Sequence, residues 1–293
     1  MTWAIPSLLV LLALLVLLAY WGTSVILHPP AMSQMLIFPE QFGLAYEKVS
    51  FPTRDGLTLR GWFLPSPSGD ERTLLMCHGW GDNKGELLKQ TYFLNENAGF
   101  NLLYFDFRSH GESEGEHTTV GCLETIDFAA AMEWLRASKP AALKRLGVFG
   151  FSMGAAVAAM SIPDCPEVKA AVLESPYTDY RRIVRQWAWN RFRVPYFPVI
   201  MLTLSMLRLR VRRPEVDTYS PIRFIGRISP RPLLVIGGAQ DALMREPDVR
   251  RLYARAGEPK ELWIVPGAGH GKCHEVARDE YERRIVEFFN KHL

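Results

Sequence analysis

The pentapeptide Gly150-Phe151-Ser152-Met153-Gly154 constrains this chain most, because it joins two segments of opposite character. Before it, 146–151 is a short, wholly apolar run bounded by glycine. After it, 153–160 is rich in alanine and reads as a helix. A strand that runs without spacer into a helix must turn sharply at the residue between them. Glycines on both sides permit the close backbone approach that such a turn demands. Ser152 then sits at the apex with its oxygen exposed at the end of a sheet. A serine hydroxyl is a weak nucleophile, so chemistry at Ser152 requires a general base and an acid to orient that base.

The rest of the chain supplies a sheet to hold this turn. A strand pair is expected at 46–51 and 57–64, joined by the turn signal Thr53-Arg54-Asp55-Gly56. Apolar strands then alternate with helices. The strands are 73–77, 101–105, 146–151, 170–173, 233–236 and 261–265. The helices are 86–97, 123–137, 153–162, 247–256 and 275–292, the last carrying Tyr281, Ile285, Phe288 and Phe289 on one face. This alternation predicts an α/β fold with a mostly parallel sheet covered on both faces. Between 177 and 222 the alternation stops, and aromatic residues and an apolar run too short to cross a bilayer take its place. That stretch is expected to form an inserted cap over the carboxyl ends of the strands.

Ligands in open α/β sheets collect at those carboxyl ends. Four of them carry reactive or loop-forming residues: Ser152, Asp241 after 233–240, His270 after 263–269, and His78-Gly79-Trp80-Gly81 after 74–77. Each alone has a plain structural explanation, as turn, cap or exposed loop residue. Together, in the order Ser, Asp, His, they form a nucleophile–acid–base set. Glu174 and Asp179 are rival acids, His274 is a rival base, and Asp248 is better read as a residue of a helix start. The backbone N–H groups of Met153 and Trp80 are the candidate donors to an oxyanion.

His78-Gly79-Trp80-Gly81, the stretch Asp106-Phe107-Arg108-Ser109-His110-Gly111-Glu112-Ser113, the serine pentapeptide, Tyr219-Ser220-Pro221-Ile222, Gly238-Ala239-Gln240-Asp241 and Gly269-His270-Gly271 together resemble the α/β-hydrolase superfamily. The resemblance spans about 45–293. Within it the chain is similar to membrane-anchored bacterial serine hydrolases of the esterase, lipase and thioesterase-like branch. It implies a hydrolase of carboxylic esters or thioesters working without metal or organic cofactor, and the apolar residues of the cap favour an apolar acyl group. It also implies that Asp106, Arg108 and His110 brace the loop near the nucleophile. A serine peptidase or amidase on the same triad, and a binding protein without activity, are the alternatives.

Charge and hydropathy set the surroundings. Residues 3–27 contain no charged side chain, and 8–18 is almost pure Leu, Val and Ala, enough to span a bilayer as a helix. No basic n-region or small-residue cleavage site accompanies it, so an uncleaved anchor (1–30) followed by a linker (31–44) is expected rather than a signal peptide. Trp3, Tyr20 and Trp21 are candidate interface markers. The lone terminal amine favours a cytoplasmic N-terminus and an extracytoplasmic catalytic domain. Nine arginines and no Lys, Asp or Glu lie within 181–213; with a net charge of +3 overall, about −6 is left for the remainder. A basic, aromatic cap on an anchored protein is expected to meet anionic lipid headgroups, unless those arginines pair with surface acids. The small net charge points to no nucleic-acid partner. Cys77, Cys122, Cys165 and Cys273 have neither zinc-like nor disulfide-like spacing.

Overall fold

Eight strands form one sheet because their sequences suit burial on both faces or on one. They are β1 (Glu47–Pro52), β2 (Thr58–Leu64), β3 (Thr73–Cys77), β4 (Asn101–Phe105), β5 (Leu146–Phe151), β6 (Val168–Glu174), β7 (Leu233–Gly238) and β8 (Lys260–Val265). Every residue of β3, β5 and β7 is buried, as expected for central strands between two helical layers. The computed structural model describes residues 4–29 and 36–293. Trp3 and the first part of the expected linker, 31–35, lie outside the described residues.

The sheet order is β1-β2-β4-β3-β5-β6-β7-β8. β2 runs antiparallel to β1 and β4, and every other pair is parallel. From β3 the chain first moves outward to β4, then crosses back to β5 on the other side of β3. That reversal opens a crevice at the carboxyl ends of β3 and β5, where sites in such sheets collect.

One face is covered by α2 (Lys84–Thr91), α3 (Phe93–Glu96), α9 (Cys273–Val276) and α10 (Arg278–His292). Tyr281, Ile285, Phe288 and Phe289 of α10 pack there with Leu74, Met76 and Phe149. The other face is covered by α4 (Glu124–Ser138), α5 (Met153–Ser161) and α8 (Glu246–Arg255). The helix expected over 86–97 starts earlier and is broken. Asn83 caps it, its side chain accepting the Gly85 and Glu86 N–H groups at 2.9 and 3.2 Å, and Tyr92 separates α2 from α3. Part of the expected linker is attached to the body. Residues 39–42 form a 3₁₀ turn, Phe38 lies 5.8 Å from the Trp62 ring, and Phe42 stacks on Tyr92 at 4.6 Å.

Between β6 and β7 lie α6 (Tyr180–Phe192), a π-helical turn (Tyr196–Ile200) and α7 (Met201–Val211), with a bend of 119° between the two arms. Asp179 caps α6, which accounts for that carboxylate. The N-terminal helix α1 (Ala4–Leu27) is long and apolar enough to cross a membrane. Its last turns pack against α7 and the π-helical turn, a docking that hydropathy does not foretell.

Candidate active site

Ser152 is the residue between β5 and α5, with φ 51° and ψ −113°. This left-handed conformation is costly for a residue with a side chain, and the surrounding backbone enforces it. A Cβ on Gly154 would overlap the Cys77 carbonyl oxygen, and one on Gly150 would sit 2.7 Å from the Ala155 Cα. The two glycines therefore let α5 press against the ends of β3 and β5. The Ser152 N–H donates to the Glu174 carbonyl at 2.8 Å, fixing the apex to the neighbouring strand.

Three of the candidate residues meet there. Ser152 Oγ lies 3.0 Å from His270 Nε2, and His270 Nδ1 lies 2.8 Å from Asp241 Oδ2. Asp241 Oδ1 accepts the N–H groups of Leu243 and Met244 at 2.8 and 2.7 Å. Burial raises the Asp241 carboxyl, but the hydrogen bond and charge of His270 and those two N–H groups outweigh it, and the net effect is a lowered pKa. Asp241 is thus an anion at neutral pH, facing Nδ1 of the imidazole. Phe151 lies tilted over the His270 ring, 5.3 Å between centroids.

The rivals are engaged elsewhere. His274 is 3.3 Å from Glu282 and stacks on Phe93. Asp248 pairs with Arg182 at 2.5 Å and Arg245 at 3.4 Å. Glu174 is buried at the end of β6 and accepts the Tyr281 hydroxyl at 2.6 Å. Burial raises its carboxyl pKa, against the Tyr281 hydrogen bond that lowers it.

The loop after β3 lies against the serine. A Cβ on Gly79 would come within 3.1 Å of the Phe151 ring and 3.5 Å of Ser152 Cβ. Neither the Trp80 nor the Met153 backbone N–H has a hydrogen-bond acceptor among the described residues, which leaves both free to serve an incoming oxygen. Two buried histidines hold the loop. His78 Nδ1–H donates to the Gly79 carbonyl at 2.8 Å, while its Nε2 accepts the Phe107 N–H at 3.0 Å. His110 Nδ1–H donates to the Arg108 carbonyl at 2.8 Å, and its Nε2 accepts the Gly81 N–H at 3.0 Å. An Nε2 that accepts cannot carry a proton, so both rings are neutral. Burial depresses both pKa values, His78 well below the ordinary value.

The Asp106–Ser113 stretch braces this loop from outside. Arg108 binds Asp127 through Nε at 2.9 Å and Nη2 at 2.6 Å, and Asp55 through Nη1 at 2.8 Å. Asp106 binds the buried Lys84 ammonium at 2.5 Å. The sequence marks this stretch as a brace but does not reveal His78 as its partner. The HG pair after β3 is the available signal.

A cavity of about 140 Å³ opens over Ser152. Trp80, Tyr177, Ile183, Val184, Trp187 and Leu243 form much of its wall, and among the described residues no Asp, Glu, Lys or Arg lines it. α1 contributes Ile26 to the same wall.

A sequence model described as serine aminopeptidase, S33, matches residues 69–220. The chain belongs to this family of α/β-hydrolases. Among relatives of this α/β-hydrolase, the uncharacterised protein Rv2307c of Mycobacterium tuberculosis is 32% identical over 219 residues, covering 74% of this chain and 70% of that protein. The uncharacterised protein YfhR of Escherichia coli is 29% identical over 249 residues, covering 83% and 80%. The solved structure of the Pyrococcus furiosus esterase Pf2001 is similar with a TM-score of 0.73 and 28% identity, covering 90% of this chain and 99% of that one.

Proposed function

We propose that this α/β-hydrolase cleaves carboxylic esters or thioesters of apolar acyl groups through an acyl-serine. The observation that carries the reading is the continuous Ser152–His270–Asp241 hydrogen-bonded line opening into a cavity without a charged wall residue. Ser152 Oγ attacks the carbonyl carbon as its proton passes to His270 Nε2. Asp241 holds Nδ1–H and stabilises the imidazolium that forms. The carbonyl oxygen becomes an oxyanion, received by the Trp80 and Met153 N–H groups, each such donor being worth about 2.7–4 kcal/mol. His270 returns the proton to the leaving oxygen or sulfur. Water, deprotonated by His270, then attacks the acyl-serine and releases the acid and free Ser152.

The similarity to an esterase supports this chemistry, and the description of the matching family raises the peptidase alternative. An aminopeptidase has to bind a substrate ammonium, and the cavity wall offers it no carboxylate. The apolar wall suits an acyl chain better.

The same reading places the enzyme on a membrane, with α1 as an anchor and the cap against lipid. Three cap arginines are committed within the protein: Arg181 and Arg208 bind Asp217, and Arg182 binds Asp248. Arg210 binds α1. Arg212 and Arg213, which directly follow α7, are then left to meet anionic headgroups.

Hydrolysis of nitrophenyl esters of increasing acyl length by the full chain and by Ser152→Ala tests the reaction. Loss of at least about 10³-fold in the variant is expected. Absence of hydrolysis and of fluorophosphonate labelling at Ser152 in the unaltered protein would favour a binding role instead.

A further inference from the structure

The helix that looks like a simple anchor is also part of the active-site wall. Ile26 of α1 faces the cavity over Ser152. Beside that cavity lies a second, of about 30 Å³, between α1 and the cap. Ile26, Val184 and Trp187 line both, so the two cavities share part of their walls. Leu18, Trp21 and Val25 of α1 continue the second cavity toward the exposed part of the helix. Among the described residues, no charged one lines it.

The docking of α1 is specific. Arg210 Nη1 donates to Thr23 Oγ1 at 2.5 Å and Ser24 Oγ at 2.8 Å, with its guanidinium 4.4 Å from the centre of the Tyr20 ring. The Trp80 indole N–H donates to the Ile26 carbonyl at 3.3 Å, and the Thr118 N–H to the Leu27 carbonyl at 2.9 Å. Gly22 lets α7 approach, since a Cβ there would be 2.9 Å from Thr203 Oγ1.

Helix length then fixes the depth of this seam. α1 is largely exposed from Ile5 to Leu17 and contacts the cap from about Leu18 onward. Residues 4–17 rise only about 21 Å, against a hydrocarbon core of about 30 Å. Counted from Ala4, the first described residue, a span of that thickness takes in about six more residues, through Thr23, and these carry the adjoining cap with them. Phe197 and Leu209, 70% and 77% exposed, are the most exposed large apolar side chains outside α1 among the described residues, and both belong to the cap. Thr23 then marks the edge of the hydrocarbon, and Ser24 and the Arg210 guanidinium bound to both fall at headgroup level, where a guanidinium on an apolar stem is at home. The mouth of the seam at Leu18 and Trp21 then faces acyl chains, not water.

Resting on the serine-hydrolase reading above, we propose that the acyl chain of a bilayer lipid reaches Ser152 sideways, through the seam between α1 and the cap, with α1 setting the chain length accepted. The cavity over Ser152 is about as large as one that holds a benzene-sized guest, near 150 Å³. It takes roughly the first six carbons of an acyl group, and a longer chain has to part α1 from α7.

A reversible lock tests this in the full chain, reconstituted in phosphatidylcholine–phosphatidylglycerol nanodiscs. A Cβ built on Gly22 is 3.7 Å from Thr203 Cβ, close to the roughly 3.8 Å of a disulfide. The double variant Gly22→Cys/Thr203→Cys is expected to cross-link on oxidation. Its ratio of nitrophenyl palmitate to nitrophenyl butyrate turnover should then fall at least ten-fold and recover on reduction. No cross-link, or a cross-link that leaves the ratio unchanged, overturns the proposal. Fluorophosphonate labelling at Ser152 reports whether the variant is folded. If the reduced pair does not label, Ala188→Phe, which fills the seam from α6, decides by the same ratio. Failure of the unaltered protein to label or to cleave either ester would instead sink the serine-hydrolase reading itself.

Discussion

The loop that offers the Trp80 N–H depends on a histidine that must stay neutral, and acid should expose that dependence. His78 is fully buried, with Nε2 accepting from Phe107 and Nδ1–H donating to Gly79. Burial, the neighbouring His110 and Lys84 all depress its pKa, opposed only by the Gly79 carbonyl. A group whose folded pKa is depressed contributes stability that is present above the unfolded value and lost as pH falls below it. With an unfolded value near 6.5 and a folded value well beneath, lowering pH from 7.5 to 5.5 removes on the order of 1 kcal/mol through His78. At an unfolding entropy of roughly 0.6 kcal/mol/K for a chain this long, that is about 2 °C of melting temperature. Gln at 78 preserves an acceptor and a donor but does not titrate. Melting curves of unaltered protein and His78→Gln, in one detergent across this range, give the difference directly. Gln should cost stability at pH 7.5, and the gap between the two proteins should shrink by about 2 °C at pH 5.5. Parallel curves, or a gap that widens with acid, would mean that His78 carries a proton in the folded protein and that the hydrogen-bond assignment is wrong.

Other changes probe the elbow, the triad and the cap. Asp241→Asn leaves the Leu243 and Met244 N–H groups an acceptor but removes the charge that faces His270, and ester turnover should fall about 10⁴-fold with little change in melting temperature. Gly154→Ala drives a methyl into the Cys77 carbonyl oxygen, which backbone cannot yield easily; a cost of roughly 1–3 kcal/mol should lower the melting temperature by roughly 2–6 °C. An unchanged value would place α5 farther from β3. Replacing Arg212 and Arg213 with Gln removes two charges worth about 1 kcal/mol each at an anionic surface. Ester turnover in nanodiscs should then lose any dependence on phosphatidylglycerol content, and an undiminished dependence would assign those arginines to solvent.

What could be read from the sequence follows the physics of each segment. β3, β4 and β5 were legible to the residue, because strands buried on both faces show as unbroken apolar runs between turns. The glycine-flanked serine was legible for the same reason: sterics leave few alternatives where α5 meets β5. The cap resisted. The π-helical turn and the 119° bend between α6 and α7 follow from tertiary packing that no local period encodes. The role of His78 was hidden too, since it is defined by the Phe107 N–H that reaches its Nε2 from a loop far away in sequence.

α1 is the sharpest case of a segment whose hydropathy is correct and insufficient. By hydropathy alone an apolar run of this length passes as signal, anchor or buried helix, and the missing basic n-region and cleavage site are what favour the anchor. Its carbonyls bear on the same choice. The Thr118 N–H is buried and its partner is the Leu27 carbonyl; the Trp80 indole N–H uses the Ile26 carbonyl. Cleavage of α1 would strand these donors, at about 1–3 kcal/mol for each that stays buried, and would open the wall of the cavity at Ile26. A leader destined for removal has no reason to complete the hydrogen bonds of the body that it delivers. The contacts favour a helix retained in the folded protein, where its last turns bound the space over Ser152.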